Sequence, residues 1–564
     1  MRRRAFLATG SLALAGCRPA TRAIEGGFTG IGFERGHLLR PASSASQGAD
    51  PPSPSAGLPN GPPLVTRRVH TLIAGGGVAG LAAARALRQR GMDDFALLEL
   101  EDSAGGNSRG GTVGGIACPL GAHYLPVPGD HAHEVQHLLE EFGLRQRVAG
   151  RWVYDERHLC HSPQERLFFN NEWQDGLLPV QGIDADTLAQ YRRFAGQVRA
   201  AQAAAPFAMP AFRAGLPASH LALDAITFKT WLDREGLSDP QLRWYLDYSC
   251  RDDYGAGIAS VSAWAGIHYF ASRHGFHAPG DDEGEREGVL TWPEGNAWLT
   301  RKLAAPLLEP SGGRLHTGRV VQRIEAGRHG VTVDALNVAT QTLERWQAAQ
   351  CIVALPVFVA ARVVVNPPDF LRQAAARIPY APWLVANLHI HQALHDRPGA
   401  PPSWDNVIHG SPGLGYVDAS HQRLQSVPGA TVLTYYLALG DTPDGRRQLL
   451  QQPWSHWRDA ILAELSVPHP DLREKLTRID ITRYGHAMAV PVPGMLTLSR
   501  LWSQNGTIPS SNGDSLLSID DQLTPTDGRL RFAHSDWSGY SVFEEAFTRG
   551  HAAASAPSRD AGRV

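Results

Sequence analysis

Between Val69 and Gly106 the chain runs an apolar strand, a glycine turn, a helix and a second strand closing on an acid. Val69-His70-Thr71-Leu72-Ile73-Ala74 feeds directly into Gly75-Gly76-Gly77-Val78-Ala79-Gly80, a Gly-x-Gly-x-x-Gly pattern opening a helix from Leu81 to Arg90. Gly75 permits the tight turn, Gly77 lets the backbone approach a pyrophosphate, and Gly80 allows the helix to pack closely on the strand. The helix N-terminus then offers free N–H groups to phosphates. Glu99 closes the second strand, Phe95-Ala96-Leu97-Leu98, nineteen positions past Gly80. A carboxylate there accepts hydrogen bonds from both hydroxyls of an unphosphorylated ribose. A glycine-rich turn alone occurs in many α/β domains, but strand, helix, acid and spacing together indicate an adenine dinucleotide clamp.

The segments that follow narrow the choice of dinucleotide. Gly105-Gly106-Asn107 and Pro119-Leu120-Gly121-Ala122-His123-Tyr124 resemble the second glycine pair and the leucine-glycine-alanine segment of the flavin amine oxidase and desaturase superfamily, whose dinucleotide is FAD. The resemblance continues in that family's order over residues 67 to 555. It takes in Leu290 to Asn296, Val321-Gln322-Arg323-Ile324, Cys351 to Pro356, and Gly528 to Ala533 followed by Asp536 and Trp537-Ser538-Gly539-Tyr540. It implies an α/β fold in which a Rossmann-like FAD-binding domain (67–127, 285–362 and 520–553) is interleaved with an α+β substrate domain (128–284 and 363–519). It also implies site roles. Gly75, Gly77, Gly80, Glu99, Gly105, Gly106, Asn107, Gly121 and Ala122 would line the cofactor's path. Val321 would hold adenine through its backbone, Asp536 would meet the sugar-phosphate chain, and Val542 would start the helix that faces the ring. No second fingerprint follows the first. A flavin enzyme that also used NAD(P)H would need another phosphate turn, so electrons are expected to pass to oxygen, a quinone or a carrier.

The family's substrate is held against the flavin while a hydride passes to the ring, so the protein mainly positions and desolvates. Tyr540 matches the tyrosine of the family's aromatic sandwich. In Arg483 to Gly494 the opposite wall falls on Ala487, and His486 takes the position of a flavin-linking cysteine in some relatives. A hydrogen-bonded cleft histidine is the competing reading of His486. The lysine many relatives place after the alanine-leucine-proline strand is replaced by Val385 or Ala386, Asn107 stands for an arginine, and Phe543-Glu544-Glu545-Ala546 replaces a glycine-alanine helix start. The resemblance therefore implies an oxidoreductase acting on a small organic substrate, an amine or polyamine first. A desaturase-like enzyme for an apolar or lipid substrate, and a non-redox FAD-binding protein, remain alternatives.

Other segments concern location. Arg3-Arg4-Ala5-Phe6-Leu7, a short apolar run, and Leu14-Ala15-Gly16-Cys17 resemble a twin-arginine export signal (1–17) ending in a lipoprotein cleavage box. The run is far short of the ~20 residues that span a bilayer. Export to the periplasm or cell envelope with a lipid anchor at Cys17 is expected, and twin-arginine export suits a protein that loads FAD first. Residues 18–66, rich in proline and serine over 41–63, read as a spacer, and 554–564, or even 552 onward, as a frayed tail. The 564 residues are 43% hydrophobic and 19% charged with a formal net charge of -2, which indicates a globular enzyme and no nucleic-acid surface. Five cysteines without a Cys-x-x-Cys pair give no metal or redox motif, and a buried thiol is expected for Cys351. His131 and His133, and His389 and His391, lie two apart without companion ligands.

Overall fold

The apolar runs pair into two large sheets in the computed structural model, which describes residues 23–39, 65–273, 275–281, 288–308, 313–423, 429–503 and 524–555. In the first sheet Val65–Ala74 lies parallel to Phe95–Leu98 on one side and to Thr342–Val353 on the other. Short Leu315–His316 extends one edge and Leu530–Phe532 joins Thr342–Val353 in parallel register. The N-terminal half of Thr342–Val353 also pairs with Val331–Asn337, which pairs with Arg319–Ala326, so an antiparallel meander carries Val321 back to the parallel strands. Leu72, Ile73, Leu97, Ile352 and Val353 are fully buried, as strands covered on both faces require. The helix Val78–Gln89 packs against Phe543–Ser555.

The second sheet runs in the order Glu25–Phe28, Leu476–Ala489, Tyr380–Ile390, Thr431–Ala438, Tyr416–Asp418, Asp405–Ile408, Glu165–Phe169, Glu172–Asp175. Asn170 and Asn171 turn its last hairpin with φ of 51° and 66°, the left-handed pair that matches strand twist. Helices Phe228–Arg234, Pro240–Tyr254 and Ala263–Ala271 cover this side, each N-capped by a side chain (Thr227, Asp239, Ser262) accepting a backbone N–H. Both sheets with their helices make the α/β fold expected, with a Rossmann-like sheet beside a second, mixed sheet.

Two segments differ from the sequence reading. Residues 23–39, read as spacer on composition, include a strand and the helix Phe33–His37, because main-chain pairing to an open sheet edge needs no apolar side chains. The C-terminal helix runs through Ser555 with Ala553 and Ala554 buried, since alanines fit where its turns meet the nucleotide sheet. The export motif, Cys17 and residues 41–63 lie outside the described residues. No described helix is long and apolar enough to cross a membrane. Cys118, Cys160, Cys250 and Cys351 are free thiols, and burial pushes Cys351 up to about 12.

Candidate active site

The strand Val65–Ala74 ends where its carbonyls must give way to a helix N-terminus, and Gly75 makes that turn at φ 104°. A Cβ on Gly75 would sit 2.3 Å from the Ala354 carbonyl oxygen, and one on Gly80 would sit 1.9 Å from the Gly75 carbonyl oxygen. Neither position admits a side chain. The two glycine turns touch: Gly105 N–H donates to the Gly76 carbonyl at 2.8 Å, and a Cβ on Gly106 would lie 3.2 Å from the Gly77 Cα. Gly77 is the N-cap of the helix, so its turn presents backbone to the open space alongside.

Glu99 follows the neighbouring strand and is held from both sides. Its Oε2 accepts from Gly76 N at 2.8 Å and its Oε1 from Glu101 N at 2.8 Å. Burial raises the carboxyl above its ordinary value, offset in part by those two amides and Arg109. The carboxylate lies on the wall of one continuous cavity of about 450 Å³. The same wall takes in Gly75, Gly77, Gly105, Gly106, Asn107, Gly121, Ala122, Val321, His486, Asp536 and Val542. Gly80 lies behind it, packing helix on turn, and Asn107 Nδ2 donates to the Ala487 carbonyl at 2.7 Å.

Asp536 is fixed by three groups. Val357 N and the Tyr380 hydroxyl donate to its Oδ2 at 3.0 and 2.7 Å, and His534 Nδ1 lies 3.1 Å from Oδ1. Burial alone would raise this carboxyl, but His534, the tyrosine and the amide together hold it below its ordinary value. His486 stacks on Phe358 at 4.3 Å and meets the edge of Tyr380 at 5.8 Å. Its ring is therefore oriented on the cavity wall beside the Asp536 network.

Tyr540 does not lie on that wall, which corrects the sandwich expectation. It is 1% exposed, packed against Trp264, His268 and Tyr254, and its hydroxyl donates to Glu545 Oε1 at 2.9 Å. Glu545, fully buried, also accepts from Ser538 Oγ and from Ala211 N at 2.5 Å. The carboxylate that replaces a small residue at this helix start draws the tyrosine into a structural network.

The cavity's aromatic surface comes from other residues: Tyr124, Tyr436, Tyr484 and Trp383, with His123. The Tyr436 hydroxyl donates to the Gly121 carbonyl at 2.9 Å and that of Tyr484 to the Leu120 carbonyl at 2.7 Å, so both rings are locked to the segment carrying Gly121. His123 lies 4.5 Å from Tyr436, and burial pushes its pKa down to about 3, leaving it neutral. Val385, one of the two positions read for the absent lysine, also lines this space.

Sequence reasoning missed the charged part of the wall. Asp252, Asp253, Arg273 and Glu544 line the same cavity. Arg273 pairs with Asp253 at 2.9 Å, while Asp252 has no hydrogen-bond or ion-pair partner among the described residues. Burial first, then repulsion from Asp253, raises Asp252 to about 7. Burial likewise raises Glu544 to about 7, against its own backbone amide and Arg273. One signal was present in the sequence: Asp252 and Asp253 occupy the last turn of the helix Pro240–Tyr254, where the macrodipole disfavours carboxylates.

The residues fit FAD. The two glycine turns and Glu99 line the same cavity as the aromatic and acidic side chains. Comparison with known proteins agrees. A putrescine oxidase structure titled as wild type bound to putrescine matches with TM-score 0.60 at 17% identity, covering 87% of this chain and 98% of that one. The cyclohexylamine oxidase of Brevibacterium oxydans IH-35A matches with TM-score 0.59 at 17% identity, covering 88% of this chain and 100% of that one. At this identity the likeness shows the fold. The family model described as flavin containing amine oxidoreductase matches residues 78–556. With 479 of 564 residues matched, the chain belongs to the flavin containing amine oxidoreductases and is an FAD-dependent oxidoreductase.

Proposed function

We propose that this chain oxidises a small cationic amine, with a compound bearing more than one ammonium group as the preferred substrate. One observation carries the reading: the cavity lined by the glycine turns is also lined by Asp252, a carboxylate with no hydrogen-bond or ion-pair partner among the described residues, and by a group of aromatic rings. A buried carboxylate is costly unless a positive charge answers it, and aromatic faces attract ammonium groups. An apolar lipid would bring Asp252 and Glu544 no positive charge beyond that of the nearby arginines, which weighs against the desaturase alternative. The putrescine named with one structural neighbour is consistent with a substrate of this kind.

In this reading Gly75, Gly77, Gly105 and Gly106 bring main-chain amides to the diphosphate, Glu99 accepts from the ribose hydroxyls, and Val321 meets adenine. Asp536 and Asn107 hold the remaining chain, with Gly121, Ala122, His486 and Val542 bordering the ring. FAD, when bound, supplies a two-electron acceptor for hydride from the carbon beside nitrogen. Tyr124, Tyr436, Tyr484 and Trp383 exclude water around that carbon. Asp252 and Glu544, both near pH 7 in their protonation, orient the ammonium and take its proton, freeing the nitrogen lone pair. Electrons then leave to oxygen, a quinone or a carrier. The twin-arginine and lipobox motifs support an envelope location with a lipid anchor at Cys17.

The test is an anaerobic spectral titration of the purified protein with 1,4-diaminobutane, a longer triamine and a fatty acid. Bleaching of the flavin by the amines alone is expected. Bleaching by the fatty acid, or by nothing, would overturn the reading.

A further inference from the structure

Residues 23–39 precede the segment matched to the family and bind both halves of the molecule. Glu25–Phe28 lies parallel to Leu476–Ala489, with Glu25 opposite Arg478 and Phe28 opposite Ile481. Thr29 N continues the pairing to the Ile481 carbonyl at 2.9 Å. Gly26 approaches so closely that a Cβ would fall 1.8 Å from the Ile479 carbonyl oxygen. The Arg483 guanidinium lies over Phe28 at 3.7 Å and Phe33 at 4.9 Å. One end of the segment is thus fastened to the substrate sheet.

Its other end grips the loop that follows Glu99. Gly32 N donates to both Glu101 carboxylate oxygens at 3.2 and 3.3 Å. Arg35 reaches the Leu100 carbonyl at 3.1 Å and both Asp102 oxygens at 2.9 and 3.1 Å. Glu101 is the residue whose N–H holds Glu99 Oε1, so the segment sets the loop that aims the ribose acid. Arg109 adds a second route: it donates to the Gly30 carbonyl at 2.8 Å and the Gly106 carbonyl at 3.3 Å, and lies 3.6 Å from Glu101. Leu39, at the end of the segment, itself lines the cavity with Leu98, Glu99 and Leu100.

We propose that residues 23–39 are a cofactor strap: a segment that closes over the ribose end of the cavity, orients Glu99 through Glu101, and retards loss of FAD. The proposal rests on the assignment of the glycine turns and Glu99 to FAD. Opening the strap exposes Leu39 and breaks the charged contacts of Arg35 and Arg109 together, so release of the cofactor must await a concerted undocking. The covering of the Leu476–Ala489 edge follows from the same docking, since an unpaired strand edge exposes unsatisfied N–H and C=O groups.

The test compares FAD release from the full chain and from a chain lacking 23–39, followed as flavin fluorescence gained after dilution. Removing several charge-assisted contacts at once is expected to speed release roughly tenfold or more. Where the deletion yields no folded protein, the Gly26→Val and Arg35→Ala chains carry the same expectation, each alone about threefold or more. Release unchanged in the deletion chain, or in both point variants, would overturn the strap. A full-length protein that holds no FAD would instead overturn the cofactor assignment on which the strap rests.

Discussion

Glu99 is the residue whose position was most legible in the sequence, because a strand end and a spacing fix where its carboxylate must go. Glu99→Ala removes the acceptor for both the ribose and Gly76 N, and FAD affinity is expected to fall by roughly 10- to 100-fold, measured as flavin retained after gel filtration. Tyr540 shows the opposite case. Its motif matched, yet Glu545 five residues on pulled it into the core, a long-range packing outcome no local pattern encodes. Tyr540→Phe is expected to cost about 1 kcal/mol of stability by removing one of the three hydrogen bonds that hold buried Glu545 while leaving flavin bound, read by thermal melting and absorbance. Asp252 and Glu544 give a pH dependence. Both must be ionised to hold a cation, and burial raises both to about 7, so kcat/KM should rise as pH increases through about 7 and level above it. A profile flat from pH 5 to 9 would exclude them.

Elements were read well where one local rule decides. The strand Phe95–Leu98 appears where its apolar run puts it, and Asn170-Asn171 turn the hairpin between Glu165–Phe169 and Glu172–Asp175. The helix Pro240–Tyr254 extends through its last turns because Tyr254 and Cys250 find core contacts that outweigh two acids at its C-terminus. That extension is what brings Asp252 to the cavity, which is why the acidic wall escaped a reading based on periodicity. The segment 23–39 escaped for a related reason: its strand is Glu-Gly-Gly-Phe, with no alternation to see. Where the rule is steric, the consequence is sharp. Gly80→Ala would force a Cβ to 1.9 Å from the Gly75 carbonyl oxygen, and a loss of at least about 3 kcal/mol is expected, visible as a lower unfolding midpoint and loss of FAD.

For the whole molecule, the family order of motifs was legible because glycines and acids far apart in sequence line one cavity. The substrate end was not, because it is assembled from helix ends and strands that meet only in the fold. Docking of residues 23–39 also changes the geometry of the proposed anchor: only five residues lie between Cys17 and Ala23, at most ~22 Å of extended chain. The body would then sit against the membrane surface, and Cys17→Ser is expected to move the exported protein from the membrane fraction to the soluble one. The central claim is that one cavity holds FAD at its glycine end and an ammonium group at Asp252. Anaerobic flavin reduction by 1,4-diaminobutane in wild type and Asp252→Asn tests it most directly. The account predicts that both proteins carry FAD and that the variant's second-order rate of reduction falls roughly 30-fold or more. Equal rates in the two proteins would contradict it.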